Sequence, residues 1–327
     1  MADIEAEGDG FMTQYIVRRL LLAIPTLILV MFATFMFVRI IPGDVVEMIM
    51  AESPYADEEF RQSLEEQLGL DQPIPEQFAR YSFNVLQGDL GESPWTGRAV
   101  SAELQNRLPV TLEFGLYAIL LGLVIAIPIG VWAAMRQDTF GDYAGRSFAI
   151  LGLSVPYFLT ALLLVIFPQM WFGWTPPLSY TPWSDGVFAH LYYYFWPALL
   201  LGINLAAGIM RMTRTMMLEV LRQDYIRTAW SKGLRERVVI IRHSLRNAMI
   251  PVLTVIGLQV SIAIGGTIIL ETIFNMPGIG RYFIGAVFNR DYPSIQGVVL
   301  VLAAVIILTN LVVDVLYGVL DPRIRYS

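Results

Sequence analysis

The 327-residue chain is 56% hydrophobic and 15% charged, with a mean hydropathy of +0.58, far more apolar than a soluble globular domain. Its net charge of −6 offers no basic footprint for nucleic acid, and the absence of cysteine removes disulfides and thiolate metal sites. Two histidines in the whole chain also argue against a transition-metal centre.

From the N-terminus, residues 1–14 are acidic and glycine-containing and are expected to form a disordered extension, with Met12 as an alternative start. Arg18 and Arg19 then precede an uncharged run over 20–38, which predicts a first transmembrane helix at 15–41. The run is too long for a signal h-region, and Phe37 to Pro42 contains no small-x-small cleavage site, so the span is expected to be uncleaved. Residues 42–109 form an extracytoplasmic subdomain. Within it, acidic residues open and a glycine closes a helix over 58–69. Asp71 to Pro75 breaks the chain before a second helix over 76–86, and Gly88 to Gly91 makes a turn. Some ~60 residues bury too little surface to be stable alone, so this region should pack on the membrane domain or a partner.

Residues 110–327 hold five further long apolar runs, at 114–135, 147–184, 191–210, 248–270 and 295–313. The 147–184 run includes a span and its exit loop. Six transmembrane helices are the economical reading, and because the runs are continuous rather than alternating, a β-barrel is excluded. Polar residues inside spans either line a path or hold helices together. Asn204, Gln259 and Ser261 are the candidates for pore lining, with packing an equal reading for Asn204 and Gln259. Gly257, Gly265 and Gly266 fit close helix approach better than substrate contact. His190, next to Leu191 to Trp196, reads as part of an interfacial aromatic belt.

Between the fourth and fifth runs lies a basic segment, 211–249, with nine Lys or Arg against three acids. Residues 42–109 carry four Arg against thirteen acids, and 173–197 carry no Lys or Arg. The positive-inside rule therefore places both termini and 211–249 in the cytoplasm and 42–109 outside. Leu218, Leu221, Tyr225 and Ala229 are spaced to share one helical face, and Gly233 stands where a helix would be capped. By default such a segment is a topology signal and a surface for anionic membrane lipid. A short helix ended by glycine and held between two spans is also a lever that a cytoplasmic partner could push.

This segment resembles the cytoplasmic coupling loop of ABC-importer permeases, whose loose E-A-A, three residues, Gly frame is filled here by Arg227-Thr228-Ala229 and Gly233. Arg227 stands where many such permeases have glutamate, and Asp224 is the candidate for the carboxylate's role. Other motifs sharpen the resemblance: Pro42-Gly43-Asp44, Leu68 to Pro73, Gly88-Asp89-Leu90-Gly91, Thr96-Gly97-Arg98, Gly173-Trp174-x-Pro176-Pro177, Arg242-His243-x-Leu245-Arg246-Asn247-Ala248, Pro277 to Arg281, Asp291-Tyr292-Pro293 and Leu320 to Tyr326. In this order they are similar to the B-type permease subunit of dipeptide and oligopeptide ABC importers, from Tyr15 onward.

The resemblance implies an all-α polytopic membrane protein of the type I ABC importer permease kind, in a bacterial or archaeal cell membrane. It implies half of a heterodimeric pore with a second permease subunit. It further implies two cytoplasmic ATPase subunits that hold ATP and Mg, and an extracytoplasmic solute-binding protein. Asp224, Tyr225, Arg227, Thr228, Ala229 and Gly233 would couple to the ATPase. Dipeptides or oligopeptides are the implied cargo; glutathione, a nickel complex or an oligosaccharide are the alternatives. The residues themselves agree with a non-catalytic subunit: the single lysine, Lys232, lies in no phosphate-loop frame, and neither H-E-x-x-H nor G-x-S-x-G occurs. An ion-coupled carrier is the rival class, but the span centres are almost free of charge and lack two corresponding broken helices.

Overall fold

The computed structural model describes residues 2–40, 45–52 and 57–320. The expected Pro42-Gly43-Asp44 motif and residues 321–326 of the C-terminal motif lie outside these. Among the described residues the only bridge pairing is an isolated one between Glu92 and Ala99, and the rest is helix and connecting turn. In chain order the helices are α1 (Ala2–Ile40), α2 (Val45–Glu52), α3 (Glu58–Leu68), α4 (Ile74–Leu86), α5 (Val100–Met135), α6 (Phe140–Ser154), α7 (Tyr157–Phe172), α8 (Val187–Leu221), α9 (Asp224–Ser231), α10 (Glu236–Ile273), α11 (Ile279–Phe288) and α12 (Tyr292–Leu320). Stretches of α1, α5, α8, α10 and α12 are long and apolar enough to cross a membrane.

The third expected span, within 147–184, is not one helix. α6 and α7 meet at 89° across Val155 and Pro156. A residue before proline is pushed out of the helical region, and Val155 has φ −93° and ψ 118°. The boundary expected at 109/110 lies inside α5 and within one residue of a division between compact units at 110/111. Two other expectations need correction. Residues 2–14 are helical rather than disordered, as the N-terminal part of α1. Leu218 and Leu221 belong to α8 while Tyr225 and Ala229 belong to α9, with the chain turning at Arg222 and Gln223, so the four do not share one helix.

The chain divides into two compact units. The first comprises residues 1–16, 111–276 and 308–327. Its core joins α5, α6, α8 and α10 through Ala126, Ala149, Ala206, Ala207, Ile209, Met210 and Val252. Alanines dominate because helices in lipid gain by close van der Waals approach rather than by escaping water. α5 and α8 come so near that a Cβ on Gly202 would lie 2.8 Å from the Ala118 carbonyl oxygen. Of the three glycines expected at helix contacts, Gly257 lies under Val313 and Gly266 under Leu201, while Gly265 faces open space. α10 begins with a π-helical turn over Val239–Leu245, where the buried Ser244 hydroxyl donates to the Val239 carbonyl at 3.0 Å.

The second unit comprises residues 17–110 and 277–307. The expected outer subdomain is therefore not independent. Phe78 and Tyr81 of α4 pack edge-on and stacked against Phe32 and Phe35 of α1. Val100 and Leu104 bury against Ile279 and Val298, and Val38 against Ala286 and Ile295. The buried Ser93 hydroxyl donates to the Asp291 carboxylate, and the Trp95 indole to the Asn289 carbonyl at 2.8 Å. A segment with too small a core of its own is completed by the first span and by residues 277–307.

Candidate functional site

α9 is an eight-residue helix, too short to be stable without tertiary support. Two of its residues, Ile226 and Ala229, are buried, in a cluster with Val220 and Leu221 of α8 and Val239 of α10. At its end the Gly233 amide donates to the Trp230 carbonyl at 2.9 Å and the Leu234 amide to the Ala229 carbonyl at 3.4 Å. With Gly233 at φ +72°, this pair of bonds is a Schellman cap, which needs a left-handed residue at that position. The glycine expected to end the helix has that geometry.

The remaining residues expected at this site face outward. The Asp224 side chain is 96% exposed, and Arg227, three residues on, approaches it at 3.4 Å. The Thr228 hydroxyl donates back to the Asp224 carbonyl at 3.0 Å, and Ser231 likewise to Arg227. The Tyr225 hydroxyl accepts from the Asn247 amide at 3.0 Å, tying α9 to α10. Tyr225, Trp230 and Leu234 are each more than a third exposed. Ala229 is among the residues expected to couple to the ATPase, and Ile226, Trp230 and Leu234 are not. The structure inverts part of that: Ile226 and Ala229 anchor the helix, while Trp230 and Leu234 join the exposed face. The signal was present in the strong segregation of apolar residues along the eight-residue helix, but it is obscured when α8 and α9 are read as one helix.

A second element supports the site. Asp142, at the start of α6, is fully buried and accepts from both Nε (2.5 Å) and Nη2 (2.7 Å) of Arg214 on α8. Arg146, one turn further along α6, also bonds this carboxylate, and the Asp138 backbone amide donates to it at 3.0 Å. Two guanidinium groups and an amide on one carboxylate clamp the 136–142 turn to α8, seven residues before α8 ends. Arginine placement by itself signals only topology; the i,i+4 spacing of Asp142 and Arg146 is the clue in the sequence to this clamp.

The three candidates for pore lining make ties between helices. Asn204 donates to the Gly152 carbonyl at 2.9 Å, Ser261 to the Asn310 side chain at 3.0 Å, and the Gln259 amide lies directly over Gly208. His190 is fully buried among aromatic rings: Nδ1 is 2.7 Å from the Thr181 carbonyl, Nε2 is 3.0 Å from Glu113, and the ring stacks on Trp183. Among the described residues, no group of three or more His, Asp or Glu could hold a metal ion.

Residues 126–326 match the family model "Binding-protein-dependent transport system inner membrane component", and residues 12–115 match its N-terminal companion. The chain belongs to this family. This transport component is 43% identical over 342 residues to the dipeptide transport system permease protein DppB of Escherichia coli K12, spanning 97% of this chain and 100% of the relative. It is 41% identical over 316 residues to the glutathione transport system permease protein GsiC of Salmonella paratyphi A, again over 97% and 100%. An inward-facing structure of the MetNI methionine ABC transporter superposes with a TM-score of 0.54 at 15% identity, covering 67% of this chain and 96% of that one. The component therefore has the fold of an ABC importer permease and is a multi-pass membrane protein.

Proposed function

We propose that this permease forms half of the translocation pore of an ATP-driven importer for dipeptides or oligopeptides, paired with a second permease subunit. The observation that carries the reading is its end-to-end similarity to DppB, whose name gives dipeptide transport as that protein's role. Glutathione is the second reading, supported by the similarity to GsiC. ATP and Mg are held by two cytoplasmic ATPase subunits and this chain carries no cofactor, in keeping with its lack of a phosphate-loop sequence. A solute-binding protein delivers cargo on the outer side, to the 42–109 region, and both termini and 211–249 face the cytoplasm, by the distribution of arginine.

α9 is the coupling element in this reading. Its exposed face, with Asp224, Tyr225, Arg227, Thr228 and Trp230, is the surface that seats on an ATPase subunit. Its buried face is fixed to the end of α8 and the first turn of α10. A push on α9 therefore moves the ends of two spans together, because a helix closed by its own hydrogen bonds and a capped end does not absorb the displacement. Lipid fills the remaining surface of the spans.

Reconstitution tests the proposal. The chain, a second permease, the ATPase subunits and the binding protein in proteoliposomes should accumulate labelled dipeptide when ATP is supplied, and the chain alone should hydrolyse none. ATP hydrolysis by the isolated chain, or a complete importer that concentrates no peptide and no glutathione, would overturn it.

A further inference from the structure

The second unit contains a cavity of about 650 Å³, within the ~300–1,000 Å³ typical of small-molecule sites. It lies between the end of α1, α4, the 88–97 turns and the start of α12. Three polar groups on its wall are left without full partners. Arg39 has no carboxylate partner among the described residues; its guanidinium donates to the Gln77 side chain and the Phe35 carbonyl and lies 3.5 Å over the Phe35 ring. Those bonds occupy three of five N–H donors and leave the charge uncompensated. Gln296 is only 6% exposed, and its amide bonds to no other described residue. The Tyr81 hydroxyl is buried without a partner, and burial pushes its pKa up to about 12, so it is a neutral donor. Buried polar groups of this kind are costly unless something satisfies them. Asp89 and Glu92 add negative charge elsewhere on the cavity's exposed rim.

We propose that this cavity is a binding site for a small molecule with a free carboxylate, a short zwitterionic peptide, whose carboxylate meets Arg39, Gln296 and Tyr81 and whose ammonium faces Asp89 and Glu92. A guanidinium with two spare donors, lining one cavity with an amide and a phenol, matches a carboxylate in charge and in donor count. Asp89 already accepts from the Gly91 amide at 2.8 Å, which fixes it in place without neutralising it. The identification of the ligand as a peptide rests on the transport reading above; the carboxylate site does not.

The test uses the full chain in lipid nanodiscs and calorimetric titration with the dipeptide Ala-Phe and with its C-terminal amide. Saturable binding of Ala-Phe is expected, weakened about tenfold or more both by amidation and by Arg39→Gln. Amidation should make no further difference once Arg39 is replaced. Gln296→Leu and Tyr81→Phe, which leave the Arg39–Phe35 packing intact, should each weaken the free dipeptide more than the amide. If Arg39→Gln does not fold, the wild-type comparison and these two variants decide. Absence of saturable binding, or equal affinity for dipeptide and amide in the wild type and in Gln296→Leu, overturns the site. Uptake by the reconstituted importer, measured in parallel, separates the two readings. Uptake without carboxylate-dependent binding removes this site and leaves the transport reading; binding without uptake supports the site and removes that reading.

Discussion

Replacing Gly233 with valine tests whether α9 works as a stiff lever. No atom lies within 4 Å of where a Cβ at Gly233 would sit, so the substitution meets no steric clash. The cost lies in the backbone. A left-handed conformation costs a residue with a side chain about 1–2 kcal/mol, and a β-branched residue lies at the upper end. If the backbone moves instead, the bonds from the Gly233 amide to Trp230 and from the Leu234 amide to Ala229 are lost, at about 1 kcal/mol each. Either route gives about 2 kcal/mol, a roughly 30-fold rise in opening of the helix end. Gly233→Asn is the control, since asparagine visits the left-handed region readily. The assay pairs ATP-driven uptake in proteoliposomes with hydrogen exchange at the Gly233 and Leu234 amides. Valine should speed exchange there and reduce uptake with expression and ATPase recruitment near wild type, while asparagine should do neither. Equal uptake by the valine and asparagine variants would mean the cap plays no part in coupling.

Three further outcomes follow from the same geometry. Asp142→Ala leaves the Arg214 side chain, only 15% exposed, without its counter-ion and should cost about 3–5 kcal/mol, read as a lower thermal midpoint of the purified chain; an unchanged midpoint would contradict the clamp. Trp230→Ala removes an exposed ring, so it should change chain stability by less than about 0.5 kcal/mol yet weaken capture of the ATPase subunit in a pull-down, whereas Ile226→Ala should reduce both stability and capture. In intact cells an impermeant thiol reagent should label Phe60→Cys and spare Trp230→Cys; the reverse pattern would invert the orientation.

Much of this was legible in the sequence because lipid imposes one-dimensional rules. Uninterrupted apolar runs marked the spans, and composition alone separated them from the acidic and basic loops. Helix ends governed by local backbone chemistry were equally legible: α3 closes on Gly69 at φ +64°, and α9 on Gly233 at φ +72°. Where the chain must turn in a conformation only glycine adopts easily, the residue announces the geometry.

Facing and partnership were not legible. Leu218 and Tyr225 fit one helical period, but a period does not reveal that the chain turns at Arg222 and Gln223. Asn204 and Ser261 have the polarity of a pathway, yet each bonds a neighbour 52 or 49 positions away in the chain, and Gln259 packs over Gly208, 51 positions away. Asp142 meets Arg214 from 72 residues away. Arg39, Tyr81 and Gln296 come to one cavity from the end of the first span, the outer subdomain and the last span. The sequence by itself determined which segments enter the membrane and where helices stop, because those depend on transfer into lipid and on local backbone strain. Only the tertiary structure decided which polar groups are satisfied, clamped or left open, because that depends on which distant side chain reaches each one.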